Sequence, residues 1–185
     1  MSEEVKESGE NKPELSIEHE EKKQVIPKTE KAQDKLDKMR RIEELVRERM
    51  IKKYGENFSP EMKIEDSLGR KVILDGVVFY RKNKIKEIIE IKFITSKSFD
   101  TFKFVWARFV NRLVKLGFNK PIRMIVVSEG MDQEGAHKIK QDFDFMNVLR
   151  KDLPKECRVY FEFFRFENND LTEIILQKNG EEDKK

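Results

Sequence analysis

The chain has 185 residues, of which 41% are charged, yet its formal net charge at pH 7 is only +3. This length fits one domain with a tail, and so many charges require an extensive solvated surface. The charge is distributed unevenly, because residues 1–30 contain nine acidic and five basic residues and leave the remaining body basic. A moderately basic body fits a polyanionic partner and also fits an ordinary globular protein.

The single cysteine, Cys157, excludes an intramolecular disulfide and favours an intracellular protein. No stretch is long and apolar enough to span a membrane, and the acidic, polar N-terminus does not have the pattern of a signal peptide. We therefore expect a cytoplasmic protein that does not act at a membrane. Neither His19 nor His137 has a second histidine or a cysteine at zinc-ligand spacing, so no zinc site is predicted.

The N-terminal part of the chain is predicted to contain a tail and a long helix. Residues 1–30 have few apolar side chains, two prolines and many charges, which predicts a disordered tail. Residues 31–54 carry apolar side chains at helical spacing and are followed by Gly55, which predicts a helix that ends there. The first part of this helix, up to Arg41, is nearly all polar. It is expected to project into solvent or to pair as a short coiled coil.

The rest of the chain is predicted to alternate between strands and helices, which indicates an α/β fold. Two apolar, β-branched runs separated by a short polar turn predict a β-hairpin. Ser98 and Gly117 are typical of the residues that bound a helix. In chain order the predicted elements are a short edge strand at Lys63 and Ile64, hairpin strands 72–80 and 88–94, helix 98–116, strand 121–127, helix 132–153, and strands 158–166 and 171–176 joined by a turn at 168–170. The domain is expected to span 31–177, with a charged tail at 178–185.

Three charged residues lie inside the apolar strands of the predicted hairpin. Asp75 is in the first strand, and Glu90 and Lys92 are in the second. Burying such groups is costly unless they are paired or bound to a metal. Glu90 and Lys92 are two residues apart, so a strand points both to one face. A turn centred on Asn83 places Asp75 opposite Ile91 and beside Glu90, which suits a hard divalent cation and an attacking water.

This arrangement resembles the PD-(D/E)xK nuclease superfamily, which has the restriction-endonuclease-like fold. Asp75 takes the position of the first acid, Glu90 that of the second, and Lys92 that of the lysine; Leu74 stands where the family often has proline. The resemblance covers residues from about 40 to 128. It implies an α-β-β-β-α-β core with a mixed sheet flanked by helices, here followed by an extra C-terminal helix and β-hairpin. Archaeal proteins that join an N-terminal helical or coiled-coil segment to this nuclease core are similar in layout.

The resemblance implies a metal-dependent nuclease that acts on DNA. Asp75, Glu90 and the backbone carbonyl of Ile91 would bind Mg²⁺ or Mn²⁺, and no small-molecule cofactor is expected. Lys92 would orient or deprotonate the attacking water, or steady the charge of the phosphate. The stretch around Glu43 is similar to the Phe-Glu-x-x-Val stretch of Mrr-type restriction enzymes, which implies that Glu43 is a further ligand or supports one. Homodimers are frequent in the superfamily, so a second copy of the chain is a candidate partner.

Two basic groups are candidates for contact with phosphates. Lys82 and Lys84 lie at the predicted hairpin tip, and Arg108, Arg112 and Lys115 share one face of helix 98–116. The alternative is that the helical row is only the solvated side of an amphipathic helix.

Two other interpretations remain open from the sequence. Glu90 and Lys92 would face solvent on a one-sided sheet, with Asp75 in a turn. Alternatively, the nuclease-like core would be a non-catalytic scaffold that binds DNA or a protein through helix 31–54.

Overall fold

The computed structural model describes residues 15–19, 29–81, 84–94, 99–148, 154–155 and 157–176. Besides a short 3₁₀ turn at Gly55–Asn57, these residues form β1 (Leu15–His19), α1 (Glu30–Tyr54), β2 (Phe58–Asp66), β3 (Lys71–Arg81), β4 (Lys84–Phe93), α2 (Phe99–Lys115), β5 (Ile122–Ser128), α3 (Gln133–Val148), β6 (Val159–Glu167) and β7 (Asp170–Ile174).

All described strands belong to one sheet, in which they lie in chain order from β1 to β7. Neighbours from β1 to β4 are antiparallel, β4, β5 and β6 are parallel, and β7 returns antiparallel to β6. Parallel neighbours require a crossover connection, and α2 and α3 supply the two that are needed. The predicted α/β class with a mixed sheet is therefore confirmed.

The helices cover both faces of the sheet. On the first face, which we call the α1 side, Ile42 and Val46 of α1 pack with Ile89 and Ile125 of the sheet. On the opposite face, the α2 side, the helices contribute Trp106, Leu113 and Ala136, which pack with Leu74, Ile88, Met124 and Phe163. The strand β5 has both of its faces buried, which explains its nearly unbroken apolar sequence.

Helices and turns end at the capping, glycine and asparagine residues that the sequence places there. The hydroxyl of Thr29 accepts a hydrogen bond from the Ala32 N–H at the start of α1, and Gly55 ends that helix with a φ of 57°. Gly117 follows α2 with a φ of 67°, a left-handed conformation that glycine adopts without strain. The predicted turn at 168–170 is confirmed, since Asn168 and Asn169 both have positive φ between β6 and β7.

Two predictions for the N-terminal part of the sheet are wrong. Leu15–His19, predicted as part of a disordered tail, form β1, which pairs with β2 and covers backbone groups that would otherwise be exposed along that strand. The predicted short edge strand at Lys63 and Ile64 is instead the nine-residue β2, which has a neighbour on each side. Pro60 and several charges mask its period-two pattern in the sequence. The rest of 1–28, Ser98, the end of helix 132–153 and the tail 178–185 lie outside the described residues.

The turn between β2 and β3 is organised by the carboxylate of Asp66. It accepts hydrogen bonds from the backbone N–H of Leu68 at 3.0 Å, and from the backbone N–H and Nε of Arg70 at 2.9 and 2.6 Å. Desolvation raises the pKa of this carboxyl, but the hydrogen bonds from Arg70 and Leu68 outweigh it and hold the pKa below its usual range.

We expect Asp66→Asn to reduce the acid sensitivity of the fold. A carboxyl with a depressed folded-state pKa stabilises the protein above its unfolded pKa and loses that contribution as pH falls through the folded pKa. Melting temperatures measured from about pH 6 to pH 2 should therefore fall less steeply in the variant than in the wild type. Glu48→Gln, at an exposed position on α1, is the control and should keep the wild-type slope. Identical slopes for all three proteins would contradict the role given to Asp66.

Candidate active site

The strands β3 and β4 are paired near their hairpin end and separate further along. Pairing runs from Arg81↔Lys84 to Gly76↔Ile89, although β4 continues to Phe93. The predicted register, with Asp75 opposite Ile91, is wrong by one residue. The reason is that the hairpin is centred between residues 82 and 83 and not on Asn83, as the pair Arg81↔Lys84 shows. Continued by one residue beyond Gly76↔Ile89, this register places Asp75 opposite Glu90.

The side chains of β3 change face at Asp75. Leu74 packs on the α2 side, whereas Val78 packs on the α1 side. A Cβ atom on Gly76 would lie 2.4 Å from the ring of Phe58, which also belongs to the α1 side. Strict alternation cannot send even-numbered residues to both faces, so the phase changes between Leu74 and Gly76. The Asp75 side chain therefore points along the sheet, toward β4.

The carboxylate of Asp75 takes the place of a strand neighbour. Its Oδ2 accepts a hydrogen bond from the backbone N–H of Ile91 at 2.6 Å, just beyond the last residue pair of the two strands. We call the opening that begins there, between residues 71–75 of β3 and residues 91–93 of β4, the strand gap. The N–H and C=O of one strand residue point to the same side. The Ile91 carbonyl is therefore directed toward the gap as well.

Glu90 and Lys92 lie on the α2 side of β4 and contact each other. Ile88 and Ile94 belong to the α2 side, and alternation places Glu90 and Lys92 with them. The Nζ of Lys92 donates a hydrogen bond to Oε1 of Glu90, and Glu90 is only 6% exposed. The predicted shared face is confirmed. The alternative of a solvated Glu90, with Asp75 in a turn, is wrong, because Glu90 is buried and Asp75 lies within β3.

Glu43 lies on the other side of the strand gap, as a part of α1. It lines a cleft with Asp75 and Ile91 that we call the α1 cleft. The predicted position of Glu43 at the border of the apolar stripe is confirmed, since Glu44 and Glu48 are exposed and Glu43 is partly buried. The acidic groups therefore approach the same stretch of β4 from both faces of the sheet, with Asp75 between them.

The α1 cleft contains two further charged residues that the predicted metal motif does not include. Arg47 is one helical turn after Glu43, and its Nη2 donates a hydrogen bond to Oε1 of Glu61 in β2. Glu61 has a φ of 50°, and β2 changes face at this residue, because Phe58 packs on the α1 side and Met62 on the α2 side. The sequence has no local signal for this change, which takes place beside the change in β3.

The donors that fit a divalent cation here are of two kinds. Among the residues that the structure describes, no three His, Cys, Asp or Glu side chains are grouped closely enough to form a metal site by themselves. A site at the strand gap therefore needs a carbonyl in addition to carboxylates, and the Ile91 carbonyl is directed toward the gap. Carboxylate and carbonyl oxygens are the ligands that Mg²⁺ and Mn²⁺ prefer.

The predicted phosphate contacts lie away from the α1 cleft. Arg108, Arg112 and Lys115 are exposed on α2, on the face of the sheet opposite to α1. Lys84 is exposed at the start of β4, seven residues before Ile91, which is roughly 23 Å along a strand. Lys82 lies outside the described residues.

A second charged cluster lies at the other end of β4, and sequence reasoning missed it. Glu87 is 4% exposed; it accepts hydrogen bonds from the Tyr54 hydroxyl at 2.7 Å and from Arg123 at 3.0 and 3.2 Å. Arg123 also donates to Glu162, which Lys53 contacts at 2.7 Å. Burial and the bond to Glu87 raise the pKa of Tyr54. Because these charges are neutralised within the cluster, we interpret it as a structural link between α1 and the sheet.

The chain matches no protein-family model, and no curated protein matches it either. Within the described parts of the chain, none of the helices is both long enough and apolar enough to cross a membrane. The functional assignment therefore rests on the geometry of the strand gap and the residues around it.

We expect Arg123→Met to destabilise the fold by about 3 kcal/mol, because it leaves the buried carboxylate of Glu87 without its cation. Urea denaturation measures this loss as a change in the free energy of unfolding. The double variant Arg123→Met/Glu87→Gln should recover part of the loss, since the remaining side chain at position 87 is neutral. A single variant as stable as the wild type would contradict the structural role of the cluster.

Proposed function

We propose that the protein is a metal-dependent phosphodiester hydrolase, a nuclease that acts on DNA. One observation carries the proposal. The Asp75 carboxylate accepts a hydrogen bond from the backbone N–H of Ile91, the residue between Glu90 and Lys92 in the chain, at the point where the pairing of β3 with β4 ends. The order α1-β2-β3-β4-α2-β5, with α1 and α2 on opposite faces, supports a restriction-endonuclease-like topology. The helix α3 and the strands β6 and β7 would be additions to that core.

Asp75, Glu90 and the Ile91 carbonyl are the groups proposed to hold Mg²⁺ or Mn²⁺, and Glu43 is proposed to support these ligands from α1. When bound, the ion would supply Lewis-acid stabilisation of the phosphate and a water of lowered pKa. Asp75 suits this role because its carboxylate contacts the Ile91 backbone at the edge of the strand gap and also lines the α1 cleft.

Lys92 is the proposed partner of the attacking water. Its ammonium group is held by Glu90, and the side chain is 19% exposed, so solvent and a phosphate oxygen can reach it. An ammonium group in this position orients a water by hydrogen bonding and stabilises negative charge as it develops on the phosphate. Glu90 therefore has two functions in the proposal, which are to hold the ion and to hold Lys92.

Burying the Glu90 carboxylate and the Lys92 ammonium costs desolvation free energy, and a functional role would explain why these charges are kept. Glu90 is buried in β4, between Ile89 and Ile91. Two leucines in place of Glu90 and Lys92 would pack there without the cost of desolvating charged groups. Charged groups retained at such positions cluster at functional sites. The same reasoning applies less well to Glu87, whose guanidinium and hydroxyl partners close it off.

We expect Asp75→Asn and Glu90→Gln to reduce Mg²⁺- or Mn²⁺-dependent cleavage of DNA by roughly 100-fold or more, since a bound ion contributes several kcal/mol to such a reaction. Both substitutions keep the side-chain volume and remove the charge. Glu48→Gln, at an exposed position of α1 outside the proposed site, is the matched control and should cleave as the wild type does. The assay uses labelled single-stranded, duplex and branched DNA.

Metal binding is measured separately by thermal melting with increasing Mn²⁺. A protein whose folded state binds the ion gains stability as the ion saturates the site, and the two variants should lose this gain. Cleavage that survives in Glu90→Gln at the wild-type rate would contradict the assignment.

A non-catalytic scaffold is the second candidate, and one observation favours it. Asp75 and Glu90 already have protein partners in the Ile91 N–H and the Lys92 ammonium, and much of the first part of α1 is exposed. That part of α1 contacts the body through Lys38 and Glu129 at 2.5 Å. For this candidate, Mn²⁺ leaves the melting temperature unchanged, and light scattering detects a dimer or a bound partner that depends on the exposed face of α1.

A further inference from the structure

We propose that Arg47 is the phosphate-binding residue on the α1 side of the strand gap, and that a nucleic-acid strand reaches the gap along α1. The inference rests on the proposed function and adds to it the path of the substrate and a residue that the metal motif does not contain.

Arg47 stands where two depressions of the surface meet. It lines the α1 cleft with Glu43 and Asp75. It also lines an open polar groove of about 400 Å³ that continues along α1 past Arg40 and Arg41, which we call the α1 groove. Glu43 and Glu61 line both depressions as well. A ligand that follows the α1 groove therefore reaches Arg47 and Glu43 where the groove meets the α1 cleft.

The contact between Arg47 and Glu61 holds the guanidinium in place and leaves it able to bind a second anion. The hydrogen bond to Glu61 uses Nη2 of Arg47, whereas a guanidinium has five N–H donors in a planar arrangement. Arg47 is 39% exposed in its side chain, and Glu61 is 19% exposed, so the acid is anchored and the arginine faces the opening. Glu61 is thus a positioning residue, and its unusual φ of 50° directs its side chain into the cleft.

Arg47 complements Lys92 across the sheet. Lys92 lies on the α2 side of β4, and Arg47 lies on the α1 side. A phosphate group at the strand gap would have a cation on each side, one an ammonium and the other a guanidinium. The planar fork of arginine suits two oxygens of one phosphate, whereas lysine acts as a point charge.

The basic row on α2 is less suited to this role. Arg108, Arg112 and Lys115 are on the outer surface of the opposite helical layer, and the α1 cleft does not open there. The α1 groove also contains the carboxylates of Asp37, Glu43, Glu44 and Glu61, so it carries no excess of positive charge. Binding along it would depend on directed hydrogen bonds more than on long-range attraction, and we therefore expect a shallow salt dependence.

The test measures affinity and cleavage with the full chain and labelled DNA. Fluorescence anisotropy with Ca²⁺ in place of Mg²⁺ gives the Kd, and cleavage with Mg²⁺ gives KM and kcat. We expect Arg47→Ala to weaken binding about 10-fold to 100-fold, the range for a hydrogen bond to a charged group. The slope of log affinity against log salt should fall by about 0.7 to 0.9, which corresponds to one phosphate contact. Arg47→Lys should recover part of the affinity.

Two further variants and a melting measurement separate binding from a general effect on structure. Arg112→Ala tests the competing basic row on α2; with the strand along α1, it should leave Kd and the salt slope at their wild-type values. Glu61→Gln should raise KM with little change in kcat, because it loosens Arg47 without touching the metal ligands. Arg47→Ala should keep the full Mn²⁺-dependent gain in melting temperature, which an unfolded or rearranged site would lose.

The outcomes distinguish this inference from the nuclease proposal. If the wild type cleaves DNA and Arg47→Ala has unchanged Kd and KM, the inference is wrong and the nuclease proposal stands. If Arg112→Ala weakens binding and Arg47→Ala does not, the substrate lies on the α2 side and the inference is again wrong. If the wild type binds DNA through Arg47 but does not cleave it, the phosphate site stands and the nuclease proposal fails. A wild type that neither binds nor cleaves DNA overturns both.

Discussion

The hydrogen bond from the Ile91 N–H to the Asp75 carboxylate is the interaction on which the site depends. Backbone N–H and C=O groups inside a sheet must be paired, and strands that separate leave them exposed. Here a side chain supplies the acceptor that a strand neighbour would have supplied. The sheet can therefore open in its interior, between β3 and β4, without an unpaired N–H at Ile91. A hydrophobic residue in place of Asp75 could not perform this function.

The strand β4 carries two buried glutamates whose surroundings differ. Glu87 and Glu90 are three residues apart, so alternation sends them to opposite faces of the sheet. Glu87 meets Arg123 and the Tyr54 hydroxyl in a cluster that neutralises its charge. Glu90 meets a lysine beside the strand gap. Both residues stand in an apolar run, so the local sequence does not separate the structural glutamate from the functional candidate. What separates them is the neighbouring strand, which is paired at one position and has moved away at the other.

The sequence predicted the features that depend on local patterns. The hairpin, the helix end at Gly55 and the shared face of Glu90 and Lys92 follow from spacing and turn chemistry. The position of Glu43 at the edge of a helical stripe follows from the helical period. The features that it did not predict depend on tertiary pairing. Residues 15–19 become a strand because β2 offers an edge, and the contact of Arg47 with Glu61 requires β2 and β3 to change face together. No window of adjacent residues contains that information.

The strand gap also determines how the two faces of the sheet can act together. A continuous sheet separates the groups on its faces by its own thickness, so that Arg47 on one face and Lys92 on the other could not bind the same ligand. In the proposal, the opening at Asp75 would remove this barrier over a short length of β4. A phosphate in the gap would be within reach from both helical layers, while Asp75 and the Ile91 carbonyl border it in the plane of the sheet. The separation of β3 from β4 is therefore a requirement for the proposed chemistry. Restoring pairing beyond Gly76 would close the site even if every charged side chain were kept.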